Sequence, residues 1–361
     1  MEFVELIAER DSRAWRDLFR RSVSDFTSFR GFELQHLRLF RGDYLLLKRR
    51  MKIRRFGVLE GRRLMAVALH FTCADESLGP ASSLGGLLFD PAFTGVEFFA
   101  QELSRVVDHG TLAPYNGHMA IGLSHLSAGA DPSKVSFLCA GSSRQLEKFF
   151  LTGAFTPDRK LYALETLLTP ELRAKVDAGV ADSGAKGFAT RPLSLLHFKR
   201  DVRIFNSIVN AAMAHHKYFY PLTFEEEWDV MKASALLWEP SLFQFMMHEG
   251  KEIGFCFAIP DYNQFLSNER SDTRNVLEII WRRLSGRLGD RPRLIYSAVL
   301  PEYQGQGLFK AVRYRVIQEM YARGATHFES SYVDEANAAS LGNVKSTGGS
   351  VSHTFELFRT I

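Results

Sequence analysis

Residues 298–325 read AVLPEYQGQGLFKAVRYRVIQEMYARGA. An apolar, strand-like segment runs through Pro301 into a Gln304-Gly305-Gln306-Gly307 turn, and a helix begins at once at Leu308 and stops at Gly324. The arrangement suits an anion. Glycines let consecutive backbone N–H groups converge without Cβ obstruction, and a helix N-terminus adds about half a positive charge, so the turn fits a phosphate or pyrophosphate. It is not a P-loop, because no Gly-Lys-Ser/Thr follows. It is not a dinucleotide fingerprint either, because a third glycine and an acidic residue on a following parallel strand are missing.

Outward from this stretch, the second half of the chain alternates helix and strand signals. Asp201 to His215 has a helical apolar face (Val202, Phe205, Val209, Met213), and Thr223 with Glu226 makes a capping box for a second helix through Leu237. A hairpin over Phe243–Ile259 turns at Glu249-Gly250-Lys251, an amphipathic helix spans Asp272–Leu288, and Leu294–Leu300 is a strand. After the quoted helix come a strand (His327–Val333), a short helix (Ala338–Ser346) and a last strand (Ser352–Phe358). The first half carries a similar hairpin, FGVLEGRRLMAVALHF from Phe56 to Phe71, and Thr152-Gly153 matches Thr347-Gly348 before a final strand. Two copies of one α/β domain explain both matches. The polar, glycine-containing stretch 169–191 reads as a linker, giving domains 1–168 and 192–361.

The quoted segment resembles the acyl-CoA motif of the GNAT (GCN5-related N-acetyltransferase) superfamily: a strand, then Gln/Arg-x-x-Gly-x-Gly/Ala, then a helix. Gln304, Gly307 and Pro301-Glu302-Tyr303 sit at the motif's positions, and Asn337, eleven residues before Gly348, matches the family's asparagine. The order of elements over 193–361 follows that fold throughout, and the first half follows it in order only. The fold class implied is α/β, with two tandem GNAT-like domains, each a mixed, mostly antiparallel sheet flanked by helices. Nothing between Leu84 and Val106 supplies the glycine turn, so the first domain reads as a degenerate copy without CoA. Two departures stand out. Phe309 replaces the motif's last Gly/Ala, and Val344 occupies the place of the family's frequent general-acid tyrosine.

The resemblance implies a CoA-dependent N-acyltransferase, with acetyl-CoA or a longer acyl-CoA as co-substrate and a primary amine as acceptor in direct attack. It places the pyrophosphate on Gln304, Gly305, Gln306, Gly307 and Leu308 beside Phe309, with Asn337 nearby. The pantetheine would lie along the strand from Tyr296 to Leu300, with backbone N–H near Val299 or Leu300 stabilising an oxyanion. Glu329, with Tyr332 three residues on, is the expected base; a surface strand residue is the competing reading. His216, Tyr218, Tyr220 and Tyr296 are expected around the acceptor, although His and Lys also favour a helix C-terminus on ordinary electrostatic grounds. No metal is implied. Tandem chains of this kind are also similar to bacterial long-chain N-acyltransferases, including ceramide-forming ones that act on a sphingoid base. A non-catalytic acyl-CoA-binding protein is the third reading, suggested by Val344 and Phe309.

Composition bounds the rest. The chain has 361 residues, 46% hydrophobic and 24% charged, which is globular and long enough for two domains. A net charge of +4 is too small for a nucleic-acid binder, and none is expected. Residues 10–63 nevertheless hold 16 basic and 6 acidic residues interleaved with Phe19, Phe26, Phe29, Phe32, Phe40 and Tyr44. That pattern fits a solvated face, or contact with an anionic membrane surface. Cys73, Cys139 and Cys256 lie in apolar runs without metal-ligand spacing. No basic-then-apolar leader and no apolar run of about 18 residues occurs. The expectation is a cytoplasmic protein, peripheral to the inner membrane face if the basic stretch docks there.

Overall fold

The computed structural model describes residues 1–22, 31–73, 81–115, 125–126, 135–137, 143–214 and 219–361. The described chain forms two compact units, one made of Met1–Leu161, Phe265–Val276 and His353–Ile361, the other of Tyr162–Gln264 and Leu277–Ser352.

The first unit contains β1 (Glu2–Glu5), α1 (Ala8–Arg21), α2 (Glu33–Arg41), α3 (Leu45–Arg50), β2 (Met51–Glu60), β3 (Arg63–Cys73), β4 (Ser82–Phe89), α4 (Val96–Val106), β5 (Leu112–Ala113), β6 (His125–Leu126), α5 (Arg144–Phe150) and the first part of β7 (Phe155–Leu167). Strands β1 to β4 form an antiparallel meander, and β5 joins β4 in parallel through a single pair, Ser83↔Leu112. Its core is aromatic: Phe89, Phe99, Phe149, Phe150 and Phe155 pack together, and Phe358 stacks on Phe150 at 4.5 Å. The first unit therefore includes the chain's last residues, where 1–168 was expected to stand alone.

The second unit follows the same order. It contains α6 (Pro170–Ala185), β8 (Phe188–Pro192), α7 (Phe198–Ala212), α8 (Phe224–Met231), β9 (Phe243–His248), β10 (Lys251–Ile259), most of α9 (Asp272–Leu284), β11 (Arg293–Val299), α10 (Leu308–Ala322), β12 (His327–Asp334), α11 (Ala338–Lys345) and the start of β13 (Ser350–Thr360). Strands β8 to β11 are antiparallel, and β12 is parallel to β11. The β9–β10 hairpin turns on Glu249 and Gly250, both at positive φ. Alternate residues of β10 serve opposite layers. Cys256 belongs to the core under α10, whereas Phe255 and Phe257 meet Phe205 of α7. The sheet thus has α10 on one face and α7 on the other.

Residues 169–191 are not a linker. Thr169 accepts the Leu172 N–H at 3.3 Å, Pro170 opens α6, and Leu172 and Val176 are buried in the α10 core. The small residues have a packing role: a Cβ on Gly179 would collide with the Tyr314 ring of α10. What reads in sequence as flexibility is close helix–helix approach. The capping box at Thr223 and Glu226 forms as expected.

Candidate functional site

Strands β11 and β12 pair only at Arg293↔Glu329 and Leu294↔Ser330, and then part while both continue. A cleft of about 450 Å³ opens where they separate, lined among others by Tyr296, Val299, Gln304, Gly305, Gly307, Phe309, Arg313, Tyr332 and Asn337. A bulge at Ile295 helps, since Phe257↔Tyr296 is followed by Ala258↔Leu294. Leu300 N–H donates to Ile253 C=O at 2.9 Å, and Gly254 faces Val299. Bonded and non-bonded pairs alternate in an antiparallel ladder, so Ser297 and Val299 turn their polar backbone groups toward the gap that β12 leaves. Gln304 Nε2 donates to Val299 C=O at 3.0 Å, tying the glycine turn to this edge.

At the turn, Gly305 (φ +77) and Gly307 (φ +78) adopt left-handed backbone, and a Cβ on either would meet nothing within 4 Å. Gly307 caps α10 with no side-chain hydrogen bond, and the first bonds back to its carbonyl come from Lys310 and Ala311, so the Leu308 and Phe309 N–H groups have no intrahelical partner. A second hollow of about 220 Å³ beside the turn is lined by Lys175, Lys310 and Lys186, the last paired with Asp182 of the same lining at 2.7 Å, together with Gln306 and Gly307. An anionic group fits this end of the cleft.

The expected residues divide. Val299, Gln304, Gly305, Gly307, Leu308, Phe309, Tyr296, Tyr332 and Asn337 all line the cleft, and Gln306 lines the neighbouring hollow. Phe309 lines the cleft and also packs, partly buried, against the α10 core. Asn337 caps α11, its Oδ1 accepting the Ser340 N–H at 2.9 Å. Val344 is buried with Leu164 and Val333, which leaves an apolar wall where a tyrosine was expected to be missing. The Leu300 N–H is already bonded to Ile253 and is not free for an oxyanion. Tyr220 is 3% exposed and outside the lining. His216 and Tyr218 lie outside the described residues.

Glu329, the expected base, is a correction. It is 4% exposed, accepts a 2.6 Å hydrogen bond from Ser331 Oγ, and faces the equally buried Arg293, whose Nε donates to the same Oγ at 2.7 Å. It sits on the paired end of β12 and does not line the cleft. Its carboxylate is turned to Ser331 and Arg293, which makes it a structural contact.

Two groups that sequence reasoning passed over stand out. Glu227, half-buried in the first turn of α8, is pushed up to about 7, chiefly by burial, with the Asn206 hydrogen bond opposing it. It lies close enough to Tyr296 of the cleft to raise that phenol further above its usual range, burial being the larger cause. Three consecutive glutamates, 225 to 227, open α8; Glu226 is buried as the capping-box partner of Thr223, and only the fold sets Glu227 apart from the exposed Glu225. The other is Arg313, 2% exposed on α10. Its signal is a charge on the helix's buried face, next to Val312 and Tyr314.

Several cations of the basic stretch are engaged within the first unit. Arg54 pairs with Glu5 at 3.0 Å, Lys48 with Asp43 at 3.4 Å, and Arg21 and Arg63 converge on Asp90 at 2.6 and 2.7 Å. Arg55 donates to Phe40 C=O and Arg41 C=O. Among the described residues no helix is long and apolar enough to cross a membrane, and no group of three or more His, Cys, Asp or Glu could hold a metal ion.

No protein-family model matches the chain, and no curated protein matches it in sequence. Solved structures do. A tandem GNAT protein from the clavulanic acid biosynthesis pathway superposes with a TM-score of 0.53 at 11% identity, over 99% of this chain and 98% of that one. A GCN5-related glucosamine N-acetyltransferase region of a fungal multi-domain GH3 β-N-acetylglucosaminidase gives 0.54 at 12% identity, over 99% of this chain and 38% of that one. Parted strands, a glycine turn on a helix and whole-length superposition agree: the chain has a tandem GNAT-like fold.

Proposed function

We infer that the second unit is a CoA-dependent N-acyltransferase that moves an acyl group from acyl-CoA to a primary amine by direct attack. The observation that carries this is an uncapped glycine turn opening onto a cleft whose wall is an unpaired strand edge. The residues fit the co-substrate. The N–H groups from Gly305 to Phe309 and the nearby Lys310 suit a pyrophosphate, and the polar backbone groups of Ser297 and Val299 suit an amide-bearing arm lying along β11. The thioester supplies an activated acyl carbonyl.

The chain's own part is to position the amine and take its proton. The α7 end of the cleft, at Ala212 and Met213, gives the acceptor an approach to Tyr296. Glu227, which does not itself line the cleft but lies beside its Tyr296, is the carboxyl whose pKa burial raises to about 7, and it takes the proton through a water. Tyr332 in the cleft wall places a hydroxyl toward the departing thiolate, which with a pKa of about 8.5 needs little assistance. The long-chain, membrane-surface reading gains no support from the first unit, where Arg21, Arg54, Arg55 and Arg63 are engaged internally. Release of free thiol from acyl-CoAs of graded chain length, with a panel of amines, tests the function. Amine-dependent release is expected, and binding without release would make the protein a non-catalytic acyl-CoA binder.

A further inference from the structure

Arg313 is the least compensated charge in the cleft. It is 2% exposed, and its Nη2 reaches only two hydroxyls at long range, Ser330 Oγ at 3.4 Å and Thr347 Oγ1 at 3.3 Å. Its Nε is buried with no hydrogen-bond partner, and among the described residues no carboxylate pairs with it. A buried guanidinium left in this state keeps its desolvation penalty uncompensated unless an anion completes it. The neighbouring Arg293 shows the contrast, because Glu329 and Ser331 satisfy it.

Position narrows the anion. Arg313 lines the cleft beside Ser330, the last residue of β12 still paired with β11, so it stands at the closed end. It is six residues beyond Gly307, about 9 Å along the helix axis from the glycine turn, too far to share a pyrophosphate held there. A guanidinium offers a planar fork of donors that matches a carboxylate.

We propose that Arg313 receives a substrate carboxylate at the closed end of this cleft, and so selects a carboxylate-bearing substrate. This rests on the acyl-transfer reading of the same cleft. The carboxylate comes either from the far end of the acyl group or from the amine acceptor, and two matched pairs distinguish the sources. Succinyl-CoA against butyryl-CoA varies the acyl group, and L-alanine against ethylamine varies the acceptor. The full chain is expected to favour the carboxylate-bearing member of one pair at least tenfold in kcat/KM. Arg313→Met should level that preference, read as the ratio of kcat/KM within the pair, and Arg313→Lys should restore part of it. The wild-type comparison stands even if a variant fails to fold. No preference in either pair, or a preference that survives in Arg313→Met, overturns the assignment while acyl transfer remains. Absence of turnover and binding with every acyl-CoA overturns it together with the function on which it rests.

Discussion

The two units build the same strand-to-helix junction and fill it in opposite ways. In the second, Gly305 and Gly307 are exposed and open, and α10 begins without a side-chain cap. In the first, α4 begins at Gly95, where an added Cβ would strike Met1 Sδ and the Phe93 ring, so the helix end is packed shut. Asp90, 2% exposed and held by Arg21 and Arg63, adds a carboxylate to this junction, whereas the turn of the second unit carries none that is buried. The topology provides the site, and local packing decides whether a ligand can use it. This difference supports the reading that only the second unit takes CoA.

The largest effect tests the second unit's chemistry. Glu227→Gln should lower turnover by about a hundredfold to ten-thousandfold, and should abolish the acidic limb of the pH–rate profile, which in the wild type rises through about pH 7. Its stability should move the other way. A carboxyl whose folded pKa is raised contributes stability that is complete below the ordinary carboxylate range and lost as pH rises through about 7, so the Gln variant should melt higher than wild type at pH 8. Near-normal turnover with an unchanged acidic limb would move the base elsewhere.

Glu329→Gln should act on stability. Leaving Arg293 buried without its counter-charge should cost about 2 kcal/mol or more in denaturant unfolding, while the acidic limb near pH 7 persists. Loss of that limb would restore Glu329 as base. In the first unit, Asp90→Asn should cost about 1.5–3 kcal/mol through its two arginine contacts and leave acyl-CoA affinity unchanged. Burial pushes the Asp90 carboxyl up, but the hydrogen bonds from Arg21 and Arg63 prevail and hold it below the usual range. Its stabilisation is therefore present above the ordinary carboxylate pKa and lost as pH falls through the folded value, so the penalty should shrink in acid. The smallest effect is expected from changing Lys48, Arg49, Arg50 and Lys52 together to Gln. Turnover should be unchanged and sedimentation with anionic liposomes should stay at the level seen with neutral ones; a salt-sensitive loss of liposome binding would revive the membrane-surface reading.

The parts of this molecule that were legible in sequence are those set by local chemistry. The Glu-Gly turns, the Thr223 capping box and the glycine turn of 304–307 each need particular residues at fixed offsets, and each forms where the residues stand. Long-range choices were not legible. Small residues made 169–191 resemble a linker, because nothing local reveals that Tyr314 packs on Gly179. The final strand's residues 353–361 belong with the first unit, a pairing that Phe358↔Ala113 makes across 245 positions of chain. Glu329 looked like a base because it lies on the correct strand, but a strand has two faces and a paired end, and Arg293 holds it there. Glu227 and Arg313 escaped notice because their significance is burial without compensation, which is a property of the packed state.

The central claim is one CoA site per chain, at the glycine turn of the second unit. Calorimetric titration of the full chain with CoA tests it directly, alongside a Gly307→Asp variant, whose carboxylate would repel phosphate at a φ that Asp tolerates better than most residues. The expected result is a stoichiometry of one and at least a tenfold loss of affinity in a variant that still unfolds cooperatively. Two bound CoA molecules per chain, or equal affinity in wild type and variant, would contradict it.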